Sequence, residues 1–326
     1  MHYLITGGAG FIGSHLAESL LRRGDSVTVL DNLSTGSHDN IRHLENNDRF
    51  RLVYGSVTDS GLVTECVNDV DRVFHLASTV GVRLIIEKPI ETVETIVEGA
   101  SVVLRACARY RLPILLTSTS EVYGKSEALP FTESCDSIIG PATYRRWSYA
   151  AAKALDEFLA LAYWHEMRLP VVVARLFNTV GPRQTGQYGM VIPRLVEQAR
   201  KGEPLTVYGD GQQTRCFCHV NDTVRGLVDL FDERGTAGEI FNIGSTTSIS
   251  INELAERIIE ATQSNSAISH IPYNEAYGPG FEDMRHRAPS IVKIKNAIGF
   301  EPSHGLGQII EDIVKFQRSQ EQFGAG

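Results

Sequence analysis

Tyr149 and Lys153 stand four residues apart in the run Trp147-Ser148-Tyr149-Ala150-Ala151-Ala152-Lys153, a stretch patterned as helix, so their side chains fall on one face. A free phenol titrates near 10 and is a poor base at neutral pH, whereas a neighbouring ammonium favours its ionised form. Bringing that pKa to about 7 takes roughly 4 kcal/mol of differential stabilisation, of which the lysine can supply a part. Taken alone, such a pair is usually a surface contact. The residues around it must decide.

Upstream, Leu116-Thr117-Ser118-Thr119-Ser120-Glu121-Val122-Tyr123-Gly124 follows the apolar run Pro113 to Leu116, which reads as a strand. In an open α/β sheet such a run lies at the carboxyl edge, where these sheets bind ligands. Hydroxyls there also cap helices and form turns. Near the start, Gly7-Gly8-Ala9-Gly10-Phe11-Ile12-Gly13 joins a strand to a helix. Gly7, Gly10 and Gly13 fit the tight turn, the approach of a pyrophosphate and the helix-strand contact, and Phe11 and Ile12 open a helix whose amides favour phosphate. Asp31 ends the second strand, where its carboxylate would accept from adenosine ribose hydroxyls and repel a 2′-phosphate, so NAD is expected over NADP. Asp31 could also cap the turn it begins with Asn32, and beside the glycine loop the ribose role is preferred.

The elements that must position these residues alternate. Candidate strands run from His2 to Thr6, Ser26 to Leu30, Phe50 to Tyr54, Arg72 to His75, Pro113 to Leu116 and Pro170 to Ala174. Helical stretches lie between them, notably Phe11 to Arg23, Ile90 to Tyr110 and Tyr144 to Glu166. This alternation implies an α/β fold with a doubly wound parallel Rossmann sheet over residues 1–182. Residues 183–326 read as a smaller substrate-binding domain, with a helix from about Ile192 to Lys201, strands around Leu205 to Tyr208 and Arg215 to Val220, and helices at Ile251 to Thr262 and Gly307 to Gln317. A strand near 239–243 is expected to rejoin the first sheet.

A chain of 326 residues with 42% hydrophobic content can fill a substantial core. Its net charge of -8 and pI near 5.7 argue against a general nucleic-acid binder. No apolar run approaches the roughly 20 residues of a membrane span, and the opening residues show no signal peptide, so a cytoplasmic location is expected. The five cysteines are scattered and odd in number, which implies reduced thiols. Cys216-Phe217-Cys218-His219 would place both sulfurs on one strand face and His219 on the other. Strand packing explains it better than a metal, and no metal site is expected.

The glycine loop, the Thr-Ser-Thr-Ser-Glu run and Tyr149 with Lys153 occur in an order that resembles the extended short-chain dehydrogenase/reductase family over nearly the whole chain. The resemblance implies Tyr149 as base toward a sugar hydroxyl, Lys153 on the nicotinamide ribose, and Thr119 hydrogen-bonding the reacting oxygen. It also sets Asn32, Leu76, Ala77, Ser56 and Val57 along the cofactor. Relatives often carry Asp where Ser56 stands. The stretches Arg175 to Gln184 and Tyr208 to Arg215 look like the nucleotide-sugar members, which implies Asn178 and Arg215 on a diphosphate, and Gly189-Met190-Val191 on a nucleobase near Tyr208. A homodimer through the Ile90 to Tyr110 and Tyr144 to Glu166 helices is implied as well.

Once C4 of the sugar is a ketone, three outcomes are open: return of hydride to the other face, loss of water, or loss of a C5 carboxylate as CO2. Glu121 matches dehydratases and decarboxylases, but Ser120 fills the place where many dehydratases have their aspartate donor. Arg146-Trp147-Ser148-Tyr149-Ala150 and Tyr277 to Ser290, with Arg287 as the matching arginine, look most like UDP-glucuronate decarboxylases. Ser78-Thr79-Val80-Gly81-Val82-Arg83 reads more like epimerases. Decarboxylation of UDP-glucuronate to a UDP-pentose, with Tyr149, Lys153, Thr119, Ser120, Glu121 and Arg287 as catalytic candidates, is therefore placed ahead of 4-epimerisation and then 4,6-dehydration. A glutamate alone would repel the substrate carboxylate, so either a nearby arginine or a protonated Glu121 is required. A simple dehydrogenase and a non-catalytic NAD-sensing or scaffold protein are the competing classes.

Overall fold

A computed structural model describes residues 1–78, 81–186, 190–278 and 282–324. The first half lays down β1 (His2–Thr6), α1 (Phe11–Arg23), β2 (Ser26–Asp31), β3 (Phe50–Tyr54), α2 (Ser60–Asn68), β4 (Arg72–His75), α3 (Val82–Glu87), α4 (Pro89–Tyr110), β5 (Ile114–Thr119), α5 (Trp147–Met167) and β6 (Val171–Leu176). With Glu239–Ile243 these strands form a seven-stranded sheet in the order Glu239–Ile243, β6, β5, β4, β1, β2, β3, parallel throughout. The chain winds outward from β1 to β3, then crosses back to place β4 on the other side of β1. That reversal opens a crevice beyond the carboxyl ends of β1 and β4.

Every residue of β5 is buried, as expected for a parallel strand covered on both faces. Successive side chains take opposite sides. Leu115, Val172 and Ala174 join α1 and the Val220–Asp232 helix in one apolar layer, while Ile114, Leu116, Val171 and Val173 join α2, α4 and α5 in the other. A third apolar cluster unites α6 (Val191–Lys201), the Ile251–Thr262 and Leu306–Gly324 helices and the Leu205–Tyr208 strand.

Several sequence-based expectations shift. Arg215 to Val220 is not one strand: Thr214–Cys216 pairs with Ser248–Ser250 and His286–Arg287, whereas Cys218–His219 pairs with Thr179–Val180. Val220 then begins a helix, because the His219 ring accepts from the Asn221 amide at 3.1 Å and Val220, Val224, Leu227 and Leu230 bury a helical stripe. Both thiols are buried, and burial pushes Cys216 up to about 11 and Cys218 up to about 12. Among the described residues no group of His, Cys, Asp or Glu is arranged to hold a metal. The helix expected from Tyr144 starts at Trp147, after a turn in which the Tyr144 amide donates to the Pro141 carbonyl. The final helix extends to Gly324.

Candidate active site

One cleft runs from the glycine loop, across the ends of β4, β5 and β6, to the Thr214–Cys216 strand. At its first end Gly7 has φ +72, and a Cβ there would lie 2.8 Å from Ala77 backbone atoms. A Cβ on Gly13 would lie 2.3 Å from the Gly7 carbonyl oxygen. The loop can therefore close this tightly only with glycine. No side chain caps α1 and its first turn holds no acid, so its leading amides point unmasked toward the cleft, as a diphosphate requires. Gly10, Phe11, Ile12, Asp31, Asn32, Ser56, Val57, Leu76 and Ala77 line the same end.

Asp31 caps the turn that it begins and lines the cleft. One oxygen accepts from the Ala9 amide at 2.9 Å and the other from the Leu33 amide at 2.8 Å, so the carboxylate ties the glycine loop to the turn after β2 while facing the cleft. Burial pushes its pKa up, against those two amides. Ser56 bonds Thr58, hydroxyl to hydroxyl, at 2.8 Å.

At the centre, β5 delivers Thr119 and α5 delivers Tyr149 and Lys153. The Thr119 hydroxyl accepts from the Glu121 amide at 3.2 Å, which caps the following turn. Tyr149 is buried, and burial followed by the Glu121 carboxylate holds its phenol well above the ordinary range, opposed by the hydroxyls of Thr119 and Ser78. The Lys153 ammonium, expected to draw the phenol down, donates to Asp156 at 2.9 Å, and burial pushes the Asp156 carboxyl pKa up. Behind this pair His75 is buried against the Thr6 hydroxyl at 2.8 Å, and burial lowers it to about 3, so it is neutral.

At the far end, Glu121 is clamped. Arg287 Nη2 donates to it at 2.8 Å, Arg146 stands 3.4 Å from its other oxygen, and Arg287 Nη1 reaches Ser120 at 3.5 Å. Burial opposes its charge, but Arg146 and then Arg287 bring its pKa down to about 2. Of the two alternatives for Glu121, protonation is thus set aside and the arginine is present twice. Asp283 bridges onward, 3.0 Å from Arg146 and 2.8 Å from Arg215. Three arginines against two carboxylates leave this pole one net positive charge. Asn178 Oδ1 is buried with no partner among the described residues. Val191 opens α6 at the cleft, and Tyr208 lies under Arg194 at 4.3 Å and edge-on to Tyr277 at 5.3 Å. Arg285, by contrast, is exposed and paired with Asp210. Thr79, Val80, Gly189 and Pro279 to Phe281 lie outside the described residues.

The family model described as GDP-mannose 4,6 dehydratase matches residues 4–313. The chain belongs to this family. Within the extended short-chain dehydrogenase/reductases, a UDP-N-acetyl-alpha-D-glucosaminuronate decarboxylase of Bacillus cytotoxicus is 42% identical over 98% of each chain. UDP-glucuronic acid decarboxylase 4 of Arabidopsis thaliana is 37% identical, over 99% of this chain and 70% of its own. Among solved structures, a UDP-glucuronic acid 4-epimerase from Bacillus cereus, in complex with UDP-glucuronic acid and NAD, superposes with a TM-score of 0.89 at 28% identity, covering 98% of this chain and 100% of its own.

For a short-chain dehydrogenase/reductase, two cleft residues, Arg146 and Asp283, and Asp156 behind the cleft escaped the sequence reading of the site. Arg146 was quoted only for its likeness to relatives, and the rule that buried charge must be paired gives it a partner only once Glu121 is known to be buried. Asp283 and Asp156 sit in ordinary-looking surroundings, and nothing in their spacing announces that they meet Arg215 and Lys153.

Proposed function

We propose that this chain is an NAD-dependent decarboxylase of a UDP-linked uronic acid, working through a transient 4-ketone. The observation that carries the reading is Glu121 held ionised between Arg146 and Arg287 beside Tyr149. A carboxylated sugar can enter such a pole because the arginines outnumber the acids, whereas an isolated glutamate would repel it. The glycine cradle, the open amides of α1 and Asp31 fit NAD, with Leu76, Ala77, Ser56 and Val57 along its length. Asn178 and Arg215 take the diphosphate, and Val191 and Tyr208 flank the base. Residues up to about 182 serve mainly the cofactor and later ones mainly the sugar nucleotide, apart from Glu239–Ile243 in the sheet.

Tyr149 accepts the C4 hydroxyl proton, aided by Thr119, while Lys153 holds the cofactor's ribose. When bound, NAD would supply the acceptor for the C4 hydride and the source from which it is restored. The C4 ketone lies β to the C5 carboxylate, so it receives the electron pair as the C5–C6 bond breaks and CO2 departs. Thr119 then donates to the developing enolate oxygen. Glu121, set by Arg287 and Ser120, orients the ring and manages the proton returned to C5. Relatives named as decarboxylases of UDP-glucuronate and of its 2-acetamido analogue support this reaction.

A second reading, 4-epimerisation of the same substrate, draws on the superposition with the Bacillus cereus enzyme. Mass spectrometry of the product from UDP-glucuronate and from its 2-acetamido analogue tests both: loss of the mass of CO2 supports decarboxylation, and an epimer of unchanged mass supports the second. Two copies pair through α4 and α5, which expose Ile90, Leu155 and Phe158. Among the described residues no helix is long and apolar enough to cross a membrane, and the expected setting is the cytoplasm.

A further inference from the structure

The ammonium of Lys153 is held from behind. It donates to Asp156 Oδ2 at 2.9 Å, one turn further along α5, and both side chains are buried. Lys153 and Tyr149 line the cleft, but Asp156 does not. The second oxygen of Asp156 is buried without a hydrogen-bond partner among the described residues. A carboxylate left half satisfied in the interior is a poor stabiliser, and apolar packing would generally serve the fold as well. Its effect is to be sought in what it does to Lys153.

We infer that Asp156 is a positioning residue that fixes the Lys153 ammonium at the cleft wall and, by offsetting part of its charge, moderates the pull of that ammonium on the Tyr149 proton. The inference rests on the reading of Tyr149 as the proton acceptor. An ammonium has three donors; Asp156 takes one and leaves two for the cleft. The other charged groups around the pair are already matched. On α5 itself, Glu157 is bound bidentately by Arg175 at 2.9 and 2.7 Å. From β4, His75 is neutral, and after β5, Glu121 belongs to Arg146 and Arg287. Tyr149 therefore meets an ammonium whose charge Asp156 partly offsets, and the Glu121 carboxylate, which opposes a phenolate.

The test is an ultraviolet titration of tyrosinate on the NAD-loaded protein, with the Tyr149→Phe variant subtracted in each background to isolate one ring. Asp156→Asn should leave Lys153 uncompensated and raise the Tyr149 ionisation constant roughly three- to tenfold, and the acid limb of the pH–rate profile should move down with it. Asp156→Glu, which keeps the charge, should titrate near wild type. An Asp156→Asn protein that titrates like wild type and differs only in melting temperature overturns the inference. If Asp156→Asn does not fold, Asp156→Ser is read in the same way. The titration needs no turnover, so an absence of activity on any UDP-uronate would count against the proposed reaction and leave this result standing.

Discussion

Tyr149 faces a steep energetic demand, because burial and Glu121 both oppose the charge that a proton acceptor must pass through. Tyr149→Phe keeps the ring and removes the acceptor. Turnover should fall by about 10² to 10⁴, while NAD titrated by calorimetry binds nearly as before; wild-type turnover in that variant rejects the mechanism. Glu121 poses the converse problem, a buried anion that depends on its neighbours. Arg146→Ala removes its foremost counter-charge, and breaking a buried pair typically costs about 3–5 kcal/mol. The urea midpoint should fall accordingly, and adding Glu121→Gln should recover part of the loss, since the stranded charge is gone. Losses that simply add would show that the two residues act separately.

Among the elements, the β1–α1 turn is set by the least forgiving contact. Gly13→Ala brings a methyl against the Gly7 carbonyl and Gly8 Cα, and overpacking of this kind costs about 1–3 kcal/mol. The purified variant should retain little NAD by absorbance, and full retention would show that the loop gives way easily. This turn was legible in the sequence because glycine has only a few uses between a strand and a helix, and so were the six strands of the first half, whose apolar runs are buried on both faces except in the edge strand β3. The far pole was less legible. Arg287 and Glu121 meet across 166 positions of chain, a distance no local spacing encodes, and Asp283 gains meaning only when the Thr214–Cys216 and His286–Arg287 strands pair. The helix at Val220–Asp232 was hidden because its cap is a histidine, an uncommon cap, directly after a strand. Lys153 was placed correctly on the face of Tyr149, but the carboxylate one turn on that answers its charge was overlooked.

At the scale of the molecule, acid should unfold this protein early. In the unfolded chain imidazoles take up protons near 6.5 and Glu121 near 4.5; in the fold His15 does so at about 4, His75 at about 3 and Glu121 at about 2. The unfolded state thus binds more protons below 6.5. The imidazole contribution fades from there down to the folded values, and the Glu121 contribution, complete above 4.5, is lost as the pH falls toward 2. The melting temperature should drop steadily between about pH 7 and pH 4, and a flat profile would contradict these assignments. The proposed dimer is tested on the same scale: Phe158→Glu, on the exposed face of α5, should sediment as a monomer where wild type sediments as a dimer. The central claim concerns the fate of one carboxylate. UDP-glucuronate labelled with ¹³C at C6, incubated with the NAD-loaded protein, should release labelled CO2 and leave an unlabelled UDP-pentose; a label that stays in a UDP-hexuronate with its C4 configuration inverted would contradict it.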